Sequence, residues 1–399
     1  MDILKFELKK LFLNRVNLVA IGILFAVTFV INLNSTLDLY KKVGGEARLF
    51  EIYRPYEGAI NEAAAAEAKV MIDRMDEDPN FADGVDPAKQ NFYYRYNYTA
   101  IYFNLYTLGR SSKDTHLAED PKHPRSLRGI QVKMQSLAEK GQQDTYKYRS
   151  LVNQQARMAA VGKPGFYYNY DWWGLFSYLN GGGSYSFLAV LVPLALASVF
   201  SREYASGMDS VIFSSRHGRK KLGRGKMLAA TIYIVTVVLI YNGLQLVAFI
   251  GAGTARGWDK PLNTNWSFVF TPFALNNLQF YVLQLGMQLF GYLAIGLFTL
   301  YLSSRTAHAL YAFFGGLLFA LYPSIIGMLT DKKEWLRPLV ELSAGRMAKA
   351  YQVIVFYSDF NWFGRPVPAL PLLAAAVLLM CIAAYLLAVR QFTRREAAG

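Results

Sequence analysis

The chain has 399 residues, of which 53% are hydrophobic, and a formal net charge of +14. A chain of that length would make two or three soluble domains, but its apolar residues gather near the N-terminus and again after about residue 184, in runs long enough to cross a bilayer. The single cysteine, Cys381, excludes a disulfide within the chain, and the scattered His116, His123, His217 and His308 give no cluster with metal-ligand spacing.

In chain order, MDILKFELKKLFLNR has helical periodicity. Leu4, Leu8, Leu11 and Phe12 share one side while Lys5, Lys9 and Lys10 lie elsewhere, and Phe6 sits off the apolar face. Residues 1–15 are therefore expected to form a cytosolic amphipathic helix lying in the headgroup plane. Six runs have the length and composition of membrane helices: 16–34, 185–200, 227–252, 280–302, 307–329 and 367–389. The second is the shortest. The first lacks a small-residue cleavage site and is expected to stay as an anchor, in a segment bounded at 16–36.

Residues 37–183 form a charge-balanced block, with 19 basic and 18 acidic residues. EGAINEAAAAEAKVMIDRMDED predicts a helix that ends before Asp78-Pro79. PAKQNFYYRYNYTAIYFNLYTLGR predicts a second, with Tyr94, Tyr98, Ile101, Leu105 and Leu108 at helical spacing, and 126–160 a third. No strand alternation is visible, so a mostly helical extracytoplasmic domain is expected. FYYNYDWWGLFSYLNGGG follows; its Tyr and Trp suit the membrane interface, and Gly181 to Gly183 break the helix before the second span. The remaining helices occupy 184–399, with a cytosolic loop at 201–226 and an outer loop at 331–366.

The loop SREYASGMDSVIFSSRHGRKKLGRGK carries seven Lys or Arg against two acids. It is not a phosphate-binding loop: Arg224 follows Gly223 where a Lys is required, Met227 follows Lys226, and no apolar strand precedes it. Together 1–15, 201–226, 303–306 and 390–399 hold 15 Lys/Arg against five acids, while the rest of the chain holds 27 against 23. The tendency of cytosolic loops to be basic then places both termini in the cytosol and 37–183 outside a cell membrane. The six basic residues of 331–366 run against this, partly offset by Asp331, Glu334, Glu341 and Asp359. Basic residues facing lipid phosphates account for the charge, and no nucleic-acid partner is expected.

No Asp, Glu, Lys or Arg lies well inside the six runs. Asn242 with Gln245, and Gln284 with Gln288, each share a helix face, for a pathway or for interhelical hydrogen bonds. An embedded enzyme or proton-driven carrier is disfavoured, since both need ionisable groups at depth.

The run FSREYASGMDSVIFSSRHGRKKLGRGKMLAA resembles the membrane subunits of ABC exporters of the type-2 permease family, especially bacterial members with a large outer loop. The similarity lies in Phe200, Glu203-Tyr204, Gly207, the apolar Val211, Ile212 and Phe213, Ser214-Ser215, Gly218-Arg219 and Lys226, preceded by Trp172-Trp173. The resemblance implies an all-α integral membrane protein with six transmembrane helices. It also implies a separate ABC ATPase subunit, a second permease subunit, identical or related, and no cofactor or catalysis in this chain. Glu203, Tyr204, Gly207, Val211, Ile212, Phe213, Arg216, Arg219 and Lys226 would then dock the ATPase. A short helix from Glu203 to about Phe213 would fit, with Gly207 allowing a partner backbone to approach and Glu203 held against Arg216 or Arg219. The competing expectation is a membrane protein without transport: a sensor, an immunity factor or a scaffold for the outer domain.

Overall fold

The computed structural model describes residues 2–43, 46–60, 62–77, 101, 127–180, 182–207, 218–250, 255–330, 334–355 and 357–394. Most of the helix expected over 87–110, and the centre of the basic loop at 208–217, lie outside these.

The protein is mostly helical. α1 (Asp2–Phe12) and α2 (Arg15–Val43) open the chain and meet at a bend of 52°. The bend has a local cause: Asn14 Oδ1 accepts from Val16 N at 3.1 Å, a side-chain cap that starts a new helix. α3 (Glu46–Tyr53) and α4 (Glu62–Glu77) follow. The helix expected over 126–160 is two helices, α5 (Leu127–Glu139) and α6 (Tyr146–Val161). Gly141 separates them with φ 67°, a left-handed conformation that a helix cannot continue through, and Thr145 caps the second by accepting from Tyr148 N.

α7 (Tyr170–Asn180), α8 (Gly182–Leu196) and α9 (Ser198–Ala205) run in succession. Then come α10 (Gly218–Ile250), α11 (Asn277–Ser303), which begins with a capping box between Asn276 and Gln279, and α12 (Ala309–Thr330). Three short helices, α13 (Arg337–Glu341), α14 (Ala344–Ala348) and α15 (Ala350–Ile354), precede a hairpin of β3 (Asp359–Trp362) and β4 (Arg365–Pro368). α16 (Ala369–Arg394) closes the chain. The 37–183 block also holds one small antiparallel pair, β1 (Gly58–Ala59) with β2 (Gly165–Phe166).

Among the described residues five segments are long and apolar enough to cross a membrane: Tyr185–Ala205, Lys220–Ile250, Asn277–Ser303, Ala309–Gly327 and Ala369–Arg394. A sixth arises only if the bent pair Ile3–Phe12 and Arg15–Val30 counts as one. This is the make-up of a multi-pass membrane protein. The main core joins α8, α10, α11, α14 and α16, with Leu11 of α1 and Phe25 of α2 buried in it. α1 packs Leu4, Leu8 and Phe12 against that core and exposes Phe6, as its periodicity predicts.

Two further clusters sit at the other end of the bundle. One holds Leu49, Ile52, Tyr53, Ala68, Ile101, Phe166 and Tyr168; the other joins Trp172, Phe176, Phe268, Phe280 and Ile354. The segment expected as an outer loop at 331–366 is not simply a loop. α14 lies against the middle of α11, where a Cβ on Gly291 would sit 2.6 Å from Ala348 N and 2.8 Å from Ala344 O. Irregular backbone at membrane depth is tolerated only where protein buries it, and Ser343, Ala344, Gly345, Met347 and Ala348 are all buried. Ser343 Oγ caps α14 by accepting from Arg346 N at 3.0 Å and donates to Val340 O at 2.6 Å.

Candidate functional site

The basic loop expected over 201–226 is shorter than its charge pattern implies. Helix reaches Ala205 on one side and resumes at Gly218 on the other. Glu203, Tyr204 and Lys226 therefore stand on helices at the base of the loop. Val211, Ile212, Phe213 and Arg216 fall outside the described residues. Arg219 lies in the first turn of α10, while Lys220, Lys221 and Arg224 beside it are exposed.

Lys226 is the exception among these cations, being 1% exposed. Its Nζ lies 2.7 Å from Glu203 Oε1 and 3.0 Å from Glu7 Oε2, and donates to Val199 O at 3.1 Å. Lys10 Nζ stands 3.5 Å from each of the same two carboxylates. Glu7 and Glu203 are themselves 3% and 8% exposed. Two cations and two acids thus form one neutral, mostly buried cluster that ties α1, α9 and α10 together. Glu203 was expected to hold the loop against Arg216 or Arg219; among the described residues its partners are Lys226 and Lys10, and Arg216 lies outside them. A cavity of about 400 Å³ opens beside the cluster, edged by Glu7, Lys10, Asn14, Asn17, Arg202 and Glu203.

α9 is fixed to the end of α11 as well. Ala197 cannot cap α9 with its side chain, so Ser303 Oγ does so, accepting from Phe200 N and Ser201 N at 3.1 Å each and donating to Ala197 O at 2.7 Å. Tyr204 Oη donates to Ser304 O at 3.2 Å. The glycines that imitate a phosphate loop are packing notches. A Cβ on Gly223 would lie 3.0 Å from Phe392 Cδ1 of α16, and one on Gly225 would lie 2.9 Å from Ile3 Cγ2 of α1. Gly207 has a conformational role within this chain. It ends α9 with φ 68°, and nothing stands within 4 Å of where its Cβ would be, so a left-handed turn requires the glycine.

The four neutral polar residues are all buried between α10 and α11. Asn242 Nδ2 donates to Gln288 Oε1 at 2.9 Å and to Val238 O at 2.9 Å, while Tyr281 Oη donates to Asn242 O at 3.1 Å. Asn242 and Gln288 therefore form an interhelical hydrogen bond. Gln284 is 1% exposed, and its amide finds no hydrogen-bond partner among the described residues. Gln245 is buried in the same layer.

At the opposite end, α6 is clasped to the β3–β4 hairpin. Tyr146 Oη donates to Asp359 Oδ1 at 2.6 Å, and Ser150 Oγ donates to the same oxygen at 2.9 Å. Burial and the bond to Asp359 push the Tyr146 phenol up, and burial beside Asp359 pushes Tyr357 up to about 12; Tyr146 stays a protonated donor at neutral pH. Arg337 Nε donates to Glu341 Oε1 at 2.8 Å and Nη2 to Ser358 Oγ at 2.9 Å. Arg337 lines two cavities, one of about 840 Å³ against α5 and α6 and one of about 410 Å³ against α12 and α14. Among the described residues no group of three or more His, Cys, Asp or Glu is placed to hold a metal ion.

Comparison with protein-family models, curated proteins and solved structures gives no match to this chain.

Proposed function

We propose that the chain is the membrane-spanning subunit of an ATP-driven exporter similar to the type-2 ABC permeases, working with a separate ATPase and a second permease subunit. The observation that supports this reading most is the framing of segment 208–217. It hangs between α9 and α10, whose bases are joined by the Lys226–Glu203–Glu7 cluster and, through Ser303 and Tyr204, to α11. A push on that segment would be carried into three membrane helices and the amphipathic α1, as a coupling element requires. A free basic anchor needs none of these links. The basic segments 2–12, 202–207, 218–226 and 390–394 gather at this end of the bundle, and it is the cytosolic end in this reading.

In this reading Val211, Ile212 and Phe213 enter an apolar cleft of the ATPase, because three apolar side chains in a cationic segment would gain nothing from exposure to water. Burying one Phe side chain stabilises a complex by about 1.5–3 kcal/mol, roughly tenfold or more in occupancy. Affinity purification from native membranes is expected to recover a polypeptide with complete Walker motifs. Phe213→Asp is expected to lose it while insertion and yield stay normal. Recovery of the same ATPase with Phe213→Asp would remove the docking role and leave the loop as a membrane anchor.

A further inference from the structure

We infer that the cavity of about 410 Å³ between α12 and the α13–α15 segment is a binding site for a phosphate-type anion. Arg337, Glu341, Arg346, Lys349, Ser324 and Gln352 line it. The three cations are not equivalent. Arg337 is neutralised by Glu341 at 2.8 Å. Among the described residues the hydrogen bonds of Arg346 and Lys349 go to neutral groups. Arg346 donates through Nη1 to Gln352 Oε1 at 2.5 Å and through Nη2 to Gln352 O at 2.9 Å. Lys349 donates to Ser324 Oγ at 2.8 Å, and its ammonium lies 4.4 Å from the centre of the Tyr185 ring. Among its described lining residues the cavity therefore sets three cations against one carboxylate, Glu341, which is paired with Arg337.

Both residues are half-buried, on a segment that buries Val340, Ala344, Met347 and Ala350. Holding two like charges near one another away from bulk water is unfavourable unless a counter-charge arrives. In the basal cluster two cations meet two acids; here, among the described lining residues, three cations meet one. A guanidinium fork, an ammonium and a serine hydroxyl freed to donate match the oxygens of a phosphate. The volume lies at the small end of ligand sites, roughly 300–1,000 Å³, and leaves room for a phosphate with one small substituent. Two sources present that chemistry. Ser324 sits on α12 beside Ile325, which is exposed on the apolar surface, so a lipid headgroup phosphate has a lateral path. A free phosphate has the aqueous one. The inference does not depend on ATP-driven transport.

The test uses the full chain purified in a neutral detergent. Binding of short-chain phosphatidylglycerol, and separately of inorganic phosphate against chloride at equal ionic strength, is read by thermal shift and native mass spectrometry. Lys349→Gln and Arg346→Gln are each expected to weaken binding roughly tenfold, the loss of a charge-assisted bond. Lys349→Arg retains it, and Arg365→Gln, at an exposed position on β4, leaves it unchanged. Binding of the lipid alone assigns the headgroup, binding of inorganic phosphate alone assigns a soluble anion, and either supports the site. A second reading needs no variant: the bound anion should protect Lys349 of the native chain from an amine-reactive label, quantified by peptide mass spectrometry. Failure of both anions to bind, equal binding by native chain and both Gln variants, or unprotected labelling of Lys349 overturns the inference.

Discussion

Lys226→Met is expected to be among the most destabilising single substitutions in the protein. It removes the buried cation that touches both Glu7 and Glu203, leaving, among the described residues, two nearly inaccessible carboxylates to the more distant and half-exposed Lys10. Breaking a buried ion pair from one side costs about 3–5 kcal/mol, because the abandoned charge must stay unpaired or take up a proton. Thermal unfolding of the detergent-purified chain should show this as a large fall in midpoint. The cost comes from the charge left behind and not from lost packing. The triple variant Glu7→Gln, Glu203→Gln, Lys226→Met should therefore recover most of the stability, while Glu203→Gln alone should be milder. A triple variant as unstable as Lys226→Met would mean that shape, not charge, fixes α1 and α9 to α10.

Gly291→Val is the second large effect. α14 reaches the middle of α11 only because position 291 has no side chain. The atoms a Cβ would meet are main-chain atoms of Ala344 and Ala348, which cannot rotate aside. Gly345 repeats the situation, where a Cβ would meet Ala320 O at 2.5 Å and Tyr185 Oη at 2.7 Å. Overpacking a close-packed interior costs typically about 1–3 kcal/mol, and here the relief would be to push the α13–α15 segment out of the bundle. Limited proteolysis within 337–355 should accelerate sharply in Gly291→Val. Gly286→Val, on the same helix but with nothing within 4 Å of its Cβ position, should behave like the native chain. Equal proteolysis of the two variants would show that the segment is not seated on α11.

The membrane helices were legible because each is a local property, an apolar run with polar or glycine-bearing ends. The amphipathic α1 was legible for the same reason, and Phe6, off its apolar face, is exposed. The contacts that make the candidate site were not. Lys226 meets Glu7 across 219 positions of sequence, and nothing in the spacing of either residue separates it from its exposed neighbours Lys220 and Lys221. Gly223 and Gly225 looked like part of a phosphate loop because a packing notch and a loop glycine are the same letter. The fold of 334–355 was hidden for a physical reason as well. The buried residues of α14 are Ala, Gly and Met, which in so short a helix carry little apolar signal, while the Arg and Lys residues of the segment face a cavity and read as a solvated loop. The pairing of Asn242 with Gln288 was visible only as two polar faces on separate helices; which faces meet is set by the packing of α10 on α11.

Transmitting the work of a separate ATPase is the role proposed for this chain. Its most direct test is ATP hydrolysis by the co-purified ATPase reconstituted into lipid vesicles, alone, with the native chain, and with Phe213→Asp. The account predicts that the native chain changes the hydrolysis rate, that Phe213→Asp abolishes the change, and that the paired substitution of Lys220 and Lys221 by Gln weakens it only mildly and in a salt-dependent way, since exposed ion pairs contribute little. Hydrolysis at one rate in all of these vesicles would contradict it.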